Sequence, residues 1–109
     1  MPTYREASPA QVHDWITHEP DSLFLLDVRE PFEFNLCRVE GSRLIPLNSL
    51  PKRLAEVPTD VRIVCICHHG TRSAYACQLL ASLGRTRLYN LTGGVDRWAS
   101  DVDPAMPRY

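Results

Sequence analysis

The sequence predicts one α/β domain in which helices cover both faces of a parallel sheet. Segments of strand length alternate with helical segments, the order typical of a parallel sheet with crossover connections. Residues 23–28 are nearly all apolar, without alternation, as in a strand buried on both faces. The chain has 109 residues, too few for two domains. We expect a single domain over residues 1–109, with a core at about 8–100 and an irregular tail at 101–109.

The first half of the chain begins with a helix signal. Ser8 can cap a helix and Pro9 suits its first position, while Pro20 sets a limit that the helix should not pass. Turn residues separate the four segments that follow. They are a strand at 23–28, a short helix that opens at Pro31, a short strand at 43–47 and a short helix at 48–55.

The second half centres on a predicted strand at 61–66 that leads directly into a helix. Apolar residues of that helix recur at i, i+3, i+4 and i+7, and Gly84 stands where a left-handed C-terminal cap would lie. Gly93 and Gly94 predict a tight turn. The apolar stripe of the helix consists of Ala76, Leu79, Leu80 and Leu83. We expect a strand at 87–91 after it, and then a last short helix whose first residues are 95–99 and which buries Trp98.

Cys67 stands where the 61–66 strand ends and the next helix begins. In open parallel sheets, ligands bind at the carboxyl ends of the strands. The positive field at a helix N-terminus also favours the thiolate, which is the nucleophilic form of cysteine. We therefore predict that Cys67 is a catalytic nucleophile.

A short polar loop follows Cys67 and suits an anion or a sulfur atom. Backbone N–H groups of a tight turn can converge into an anion-binding nest, and the first turn of the next helix adds its unpaired N–H groups. Arg72 could clamp an oxyanion, or it could pair with a carboxylate elsewhere. The predicted substrate-binding residues are His68, His69, Gly70, Thr71, Arg72 and Ser73.

The other three cysteines have no predicted catalytic role. Cys65 and Cys77 are expected to pack in the core, and Cys37 to be exposed enough to oxidise. The stretch 65–69 offers two cysteines and two histidines as zinc ligands, but ligands this close in sequence cannot easily surround one tetrahedral ion. We predict no metal site.

The composition does not favour binding to nucleic acid or to a membrane. Lys and Arg number 12 and Asp and Glu number 13, a net charge of −1, which does not favour nucleic acid or a membrane surface. The sequence has neither an apolar run of about 18 residues nor the apolar core of a signal peptide. We expect a cytoplasmic protein.

Four motifs occur in a fixed order along the chain. They are Leu26-Asp27-Val28-Arg29-Glu30-Pro31 with Glu33-Phe34, Gly41-Ser42 with Ile45-Pro46-Leu47, Cys67-His68-His69-Gly70-Thr71-Arg72-Ser73, and Asn90-Leu91-Thr92-Gly93-Gly94 with Trp98. With these motifs the chain resembles the single-domain rhodaneses, which are thiosulfate-type sulfurtransferases, over about residues 8–100. It departs from the family at Cys37-Arg38-Val39, where Gly-His-Ile is frequent. A left-handed turn at position 37 would strain a cysteine.

The resemblance implies a three-layer rhodanese-like fold, with a five-stranded parallel sheet and helices on both faces. It also implies that Cys67 takes a sulfane sulfur from a small-molecule donor such as thiosulfate, or from another persulfide, and holds it as a persulfide. Cyanide, a thiol or a protein sulfur acceptor would then receive the sulfur, and no cofactor is implied. Asp27 and Arg29 would either reach the site or form an ion pair that fixes its loops, and the 90–94 turn would border the pocket.

Two other functions remain compatible with these residues. A related family of cell-cycle phosphatases shares the fold and the loop cysteine, but has one residue more between cysteine and arginine than the four between Cys67 and Arg72 here. The shorter loop suits a sulfur atom better than a tetrahedral phosphate. Non-catalytic binding modules of the same fold commonly lack the cysteine, which this chain keeps. Sulfur transfer is therefore the preferred hypothesis.

Overall fold

Within residues 3–109, five short strands form one sheet, and the predicted parallel architecture is confirmed. The strands are β1 (Arg5–Ala7), β2 (Leu23–Asp27), β3 (Arg43–Leu44), β4 (Arg62–Ile66) and β5 (Leu88–Leu91). They lie in the order β1-β5-β4-β2-β3, and every neighbouring pair is parallel. The computed structural model describes residues 3–109, so the first two residues of the predicted domain lie outside the described residues. Because β4 is central, the segment after it leaves the sheet at its middle.

In the described part of the chain, four α-helices flank the sheet and agree with the main sequence signals. Ser8 Oγ accepts the Gln11 N–H at 3.1 Å and caps the first helix. Gly84 has a φ of +95°, the left-handed conformation expected after the third helix. None of the helices within residues 3–109 has the length and apolar character needed to cross a membrane. The helices are α1 (Pro9–His18), α2 (Pro31–Leu36), α3 (Thr71–Ser82) and α4 (Gly94–Asp101), with 3-10 helices at Pro20–Ser22, Leu47–Ser49 and Pro51–Glu56.

The sheet separates two apolar cores, and β4 contributes to both. Val64 and Ile66 pack with residues of α1 and α4. Ile63 and Cys65 pack with residues of α3 on the opposite face. Successive β4 side chains therefore enter different cores, which explains why this strand is apolar without a period of two. Because β4 is buried on both faces, it fixes the position of Cys67, the residue that directly follows it.

Three local predictions differ from the structure. No strand was expected at residues 5–7, which form β1; its first two residues are exposed, so the sequence carries no apolar strand pattern there. The expected strand at 43–47 ends at Leu44, and the expected helix at 48–55 is replaced by two 3-10 helices. Pro46 and Pro51 account for both changes, because proline lacks the backbone N–H that a longer ladder or α-helix needs.

Two segments are more buried than the sequence indicates. Cys37 is 8% exposed, so the expectation that it can readily oxidise is wrong. Its φ is −165°, an extended conformation that a cysteine adopts without strain. The described segment after α4 contains no further helix or strand, but Met106 is buried in the core that contains α1 and α4. The tail is therefore held against the domain.

Candidate active site

Cys67 lies directly after β4, with its sulfur directed into the loop before α3. The residue is 1% exposed. Gly70 donates its backbone N–H to Cys67 Sγ at 3.1 Å, and Ser73 Oγ lies 3.2 Å from the same sulfur. Gly70 has a φ of +106°, a conformation that glycine adopts readily. One loop amide and one hydroxyl of the first helical turn thus face the sulfur.

Ser73 and Asn90 connect the thiol to β5. Ser73 donates its hydroxyl hydrogen to Asn90 Oδ1, so the protonated Cys67 thiol donates to Ser73 Oγ. Once the thiol is ionised, the Ser73 hydrogen has to turn toward the sulfur for this hydrogen bond to persist. Asn90 Nδ2 also donates to the Gly70 carbonyl and to Glu6, each at 3.1 Å. Asn90 therefore fixes the loop that carries the nucleophile.

The N-terminus of α4 holds the start of the same loop. Val95 and Asp96 donate their backbone N–H groups to the carbonyl oxygens of Cys67, at 2.9 Å, and His68, at 3.1 Å. Gly94 permits this approach, because a Cβ at its position would overlap both carbonyl oxygens. The turn before α4 is thus in direct contact with the loop.

Arg72 pairs with Glu33 of α2. Its Nη1 and Nη2 atoms lie 2.6 and 2.8 Å from the two carboxylate oxygens. Hydrogen bonding to Arg72 lowers the pKa of Glu33 to about 2, although burial opposes this shift, so the carboxylate is charged at neutral pH. Of the two alternatives that the sequence left open for Arg72, the structure has the carboxylate pairing. To bind an oxyanion, Arg72 would have to release Glu33.

Tyr109 and Arg29 extend this network. Tyr109 donates its hydroxyl hydrogen to Glu33 Oε2 at 2.8 Å and accepts a hydrogen bond from Arg29 Nη1 at 2.9 Å. Burial raises the pKa of Tyr109 to about 12, so the hydroxyl keeps its hydrogen at neutral pH. Arg29 is fully buried, pairs with Asp27 at 2.7 Å, and donates to the Cys37 carbonyl. Asp27 and Arg29 thus form an ion pair beneath the site.

His68, His69 and Thr71 occupy the outer side of the loop. The His68 ring stacks on the Tyr109 ring, with centroids 3.9 Å apart and planes inclined by 8°. Burial lowers the pKa of His68, which favours its neutral form. The His69 side chain is exposed, with Nε2 4.0 Å from Asp96 Oδ2, and Thr71 is exposed at the first position of α3.

His68, His69 and Asp96 also lie close together. Their potential metal-ligand atoms are within 4.8 Å of one another. The Asp96 carboxylate, however, already accepts two hydrogen bonds from Arg108, each at 3.1 Å. A metal ion would have to displace Arg108, so we retain the prediction that the site works without a metal.

Glu33 and Tyr109 belong to the site network but were not predicted as site residues. Glu33 carries a faint signal, since it is a carboxylate between Phe32 and Phe34 in a short helix. The structure exposes Phe32 and buries Glu33, the reverse of what their polarity suggests. Tyr109 has no comparable signal, because its contacts are with residues distant in sequence.

The buried thiol after the central strand defines a class, namely α/β proteins with a loop cysteine at the carboxyl edge of a parallel sheet. Comparison with known proteins gives the family. Residues 8–101 match the model of the rhodanese-like domain. The chain therefore belongs to the rhodanese-like family, and the resemblance seen in its motifs is confirmed.

Three known proteins show the extent of the similarity. A protein of Allochromatium vinosum named sulfurtransferase is 33% identical over 81 residues, which are 74% of this chain and 76% of that protein. The probable adenylyltransferase/sulfurtransferase MoeZ of Mycobacterium tuberculosis is 34% identical over 104 residues, 94% of this chain and 26% of MoeZ. The crystal structure of a rhodanese-related protein from Thermoplasma volcanium has a TM-score of 0.81 and 31% identity, and the match covers 91% of this chain and 94% of that one. The chain spans between 26% and 62% of the length of several curated relatives.

Proposed function

We propose that the protein is a sulfurtransferase that carries a sulfane sulfur as a persulfide on Cys67. The observation that carries the proposal is the position of Cys67 Sγ, which lies within hydrogen-bond distance of the Gly70 N–H and the Ser73 hydroxyl. Both groups can donate to an anionic sulfur. Relatives named sulfurtransferase in two organisms support the same reaction class.

The proposed reaction has two steps, with thiosulfate as the donor. The Cys67 thiolate attacks the outer sulfur of thiosulfate and forms an S–S bond, while the bond between the two thiosulfate sulfurs breaks and sulfite leaves with its electron pair. A thiophilic acceptor then attacks the outer sulfur of the persulfide. Cyanide becomes thiocyanate in this step, a thiol becomes a persulfide, and the Cys67 thiolate is restored.

The first prediction concerns Cys67 itself. With thiosulfate and cyanide, wild-type protein should form thiocyanate, and Cys67→Ser should lower kcat by about 10³-fold or more, because a hydroxyl cannot accept and release the sulfur. Cys77→Ser is the matched control, since Cys77 donates to the Tyr89 carbonyl at 3.4 Å and a hydroxyl can do the same. Thiocyanate formation that persists in Cys67→Ser would contradict the proposal.

The same variants separate sulfur transfer from the phosphatase alternative. A phosphatase would hydrolyse p-nitrophenyl phosphate through Cys67 without turning over thiosulfate. We expect thiosulfate turnover instead. A binding module would show neither reaction in the wild-type protein.

A second prediction concerns Arg72 as a clamp for the donor oxyanion. Arg72→Ala should raise the KM for thiosulfate about tenfold while kcat changes less, because the loss of one ionic contact weakens binding of the donor. Arg53→Ala is the control, since Arg53 forms a similar pair with Glu56 on a surface 3-10 helix. An unchanged KM in Arg72→Ala would show that Arg72 only anchors the loop to α2.

The proposal extends to compartment and partners. All four cysteines are free thiols, as is usual for proteins of a reducing compartment. We propose a cytoplasmic location on this ground, with thiosulfate or another persulfide as donor and a small thiol or a protein sulfur carrier as acceptor.

A further inference from the structure

The segment after α4 returns to the catalytic loop, and we call residues 103–109 the strap. Met106 buries its side chain in the core. Arg108 pairs with Asp96 in the first turn of α4 through two contacts of 3.1 Å. The strap is therefore tied to the domain at two points before it reaches Tyr109.

Two buried side chains form hydrogen bonds with the hydroxyl of Tyr109. Arg29 is 0% exposed and directs Nη1 toward Tyr109 Oη, while its other N–H groups bind Asp27 and the carbonyl of Cys37. Glu33, also buried, accepts the hydroxyl hydrogen of Tyr109. Because both partners are buried in the domain, these contacts fix the position of the Tyr109 hydroxyl.

Tyr109 contacts one end of the Cys67 loop directly and is linked to the other end through Glu33. At one end its ring stacks on His68, which directly follows the nucleophile. At the other end it shares Glu33 with Arg72, the residue before Ser73. The residue is 40% exposed, so it remains open to a molecule that approaches from solvent. A partly exposed aromatic ring therefore lies against the residue that directly follows the nucleophile.

We propose that Tyr109 determines which acceptors reach the Cys67 persulfide. The ring, held by Arg29 and Glu33, narrows the approach so that cyanide enters freely while glutathione is hindered. A protein sulfur carrier would then have to present its acceptor group on a narrow, extended segment. Selectivity then comes from steric exclusion of the larger acceptor, with no bond made or broken at Tyr109. This inference rests on the proposed function, because the choice of acceptor matters only if Cys67 carries sulfur.

The first test measures access to Cys67 without using sulfur transfer. Iodoacetamide and the larger fluorescein maleimide are each allowed to react with the full chain, and the adduct on Cys67 is quantified by peptide mass spectrometry. In Tyr109→Ala, the ratio of the rate with the large reagent to the rate with the small one should rise about tenfold. Tyr109→Phe keeps a ring on His68, so its ratio should rise less.

Tyr75→Ala is the control for loss of an exposed tyrosine, because Tyr75 is 61% exposed on α3. Its ratio should equal that of wild type. A thermal unfolding curve checks that each variant is folded. If Tyr109→Ala accelerates or slows both reagents by the same factor, Tyr109 has only a structural role and the proposal fails.

The second test follows the acceptor step itself. Protein loaded with sulfur from thiosulfate is mixed with cyanide or glutathione, and the loss of persulfide is timed. Tyr109→Ala should speed transfer to glutathione about tenfold and change transfer to cyanide by less than about twofold. An unchanged ratio between the two acceptors would overturn the proposal. If wild-type protein takes up no sulfur, the proposed function fails, and the alkylation ratio still decides whether Tyr109 controls access.

Discussion

Asp27→Asn is expected to lower the free energy of unfolding by about 3–5 kcal/mol, because it leaves a buried guanidinium without its counter-charge. Asp27 and Arg29 are both 0% exposed, and Asp27 accepts three side-chain hydrogen bonds from Arg29, at 2.7, 3.0 and 3.1 Å. Asparagine keeps the size of the side chain but removes its charge. Equilibrium unfolding in urea, followed by circular dichroism, measures the change.

Asp101→Asn provides the matched comparison. Asp101 pairs with Arg97 at 3.0 Å, but both side chains are more than a third exposed. Asp101→Asn should lower the free energy of unfolding by less than about 1 kcal/mol, because water solvates the Arg97 charge once the pair is lost. Equal effects of the two substitutions would show that burial of the Asp27–Arg29 pair does not govern its contribution.

Gly94→Ala is expected to have the largest effect on activity outside Cys67. Its Cβ would overlap the carbonyl oxygens of Cys67 and His68, and the φ of +62° also disfavours any side chain. The loop must shift to relieve the overlap, which moves the nucleophile relative to Gly70 and Ser73. A displacement of about 1 Å costs about 10²-fold in rate, so we expect a loss of this size in thiosulfate–cyanide turnover.

Gly84→Ala is the control that shows the effect of backbone strain without the steric overlap expected in Gly94→Ala. Gly84 has a φ of +95°, and a Cβ there would meet no atom within 4 Å. Alanine at this position should cost about 1–2 kcal/mol of stability through strain alone and leave the rate of sulfur transfer unchanged. The account of Gly94 fails if the two variants lose activity equally.

The local part of the site could be predicted from the sequence. The apolar run of β4, the loop with Gly70 and the stripe of α3 are continuous in sequence, so they indicate a strand, a loop and a helix around Cys67. The parallel sheet could be inferred because strands and helices alternate. The position of Cys67 at the edge of the sheet followed from these two observations.

The remaining part depends on contacts between distant segments. Whether Arg72 faces a substrate or a carboxylate is decided by α2, which brings Glu33 to it across 39 positions of sequence. The sequence indicates only that Asn90 lies in a turn that borders the pocket, while the structure shows its side chain bonded to both Ser73 and Gly70. Propensity and periodicity carry no information on such pairings, since they describe one segment at a time.

The short strand β1 shows a different limit. Its residues 5–7 extend the sheet beside β5, with Glu6 opposite Asn90, but two of the three are exposed. A strand with so little buried surface has no apolar pattern to distinguish it from a loop. Its link to the site is seen in the structure, where Glu6 accepts hydrogen bonds from Asn90 and from the Thr92 hydroxyl.

Intact mass spectrometry after exposure to thiosulfate tests the central claim most directly. Wild-type protein should gain about 32 Da, the mass of one sulfur atom, and should lose it again when cyanide or a thiol is added. Peptide analysis should place the added sulfur on Cys67, and Cys67→Ser should gain none. A wild-type protein that never gains this mass, or an adduct that persists in Cys67→Ser, would contradict the account.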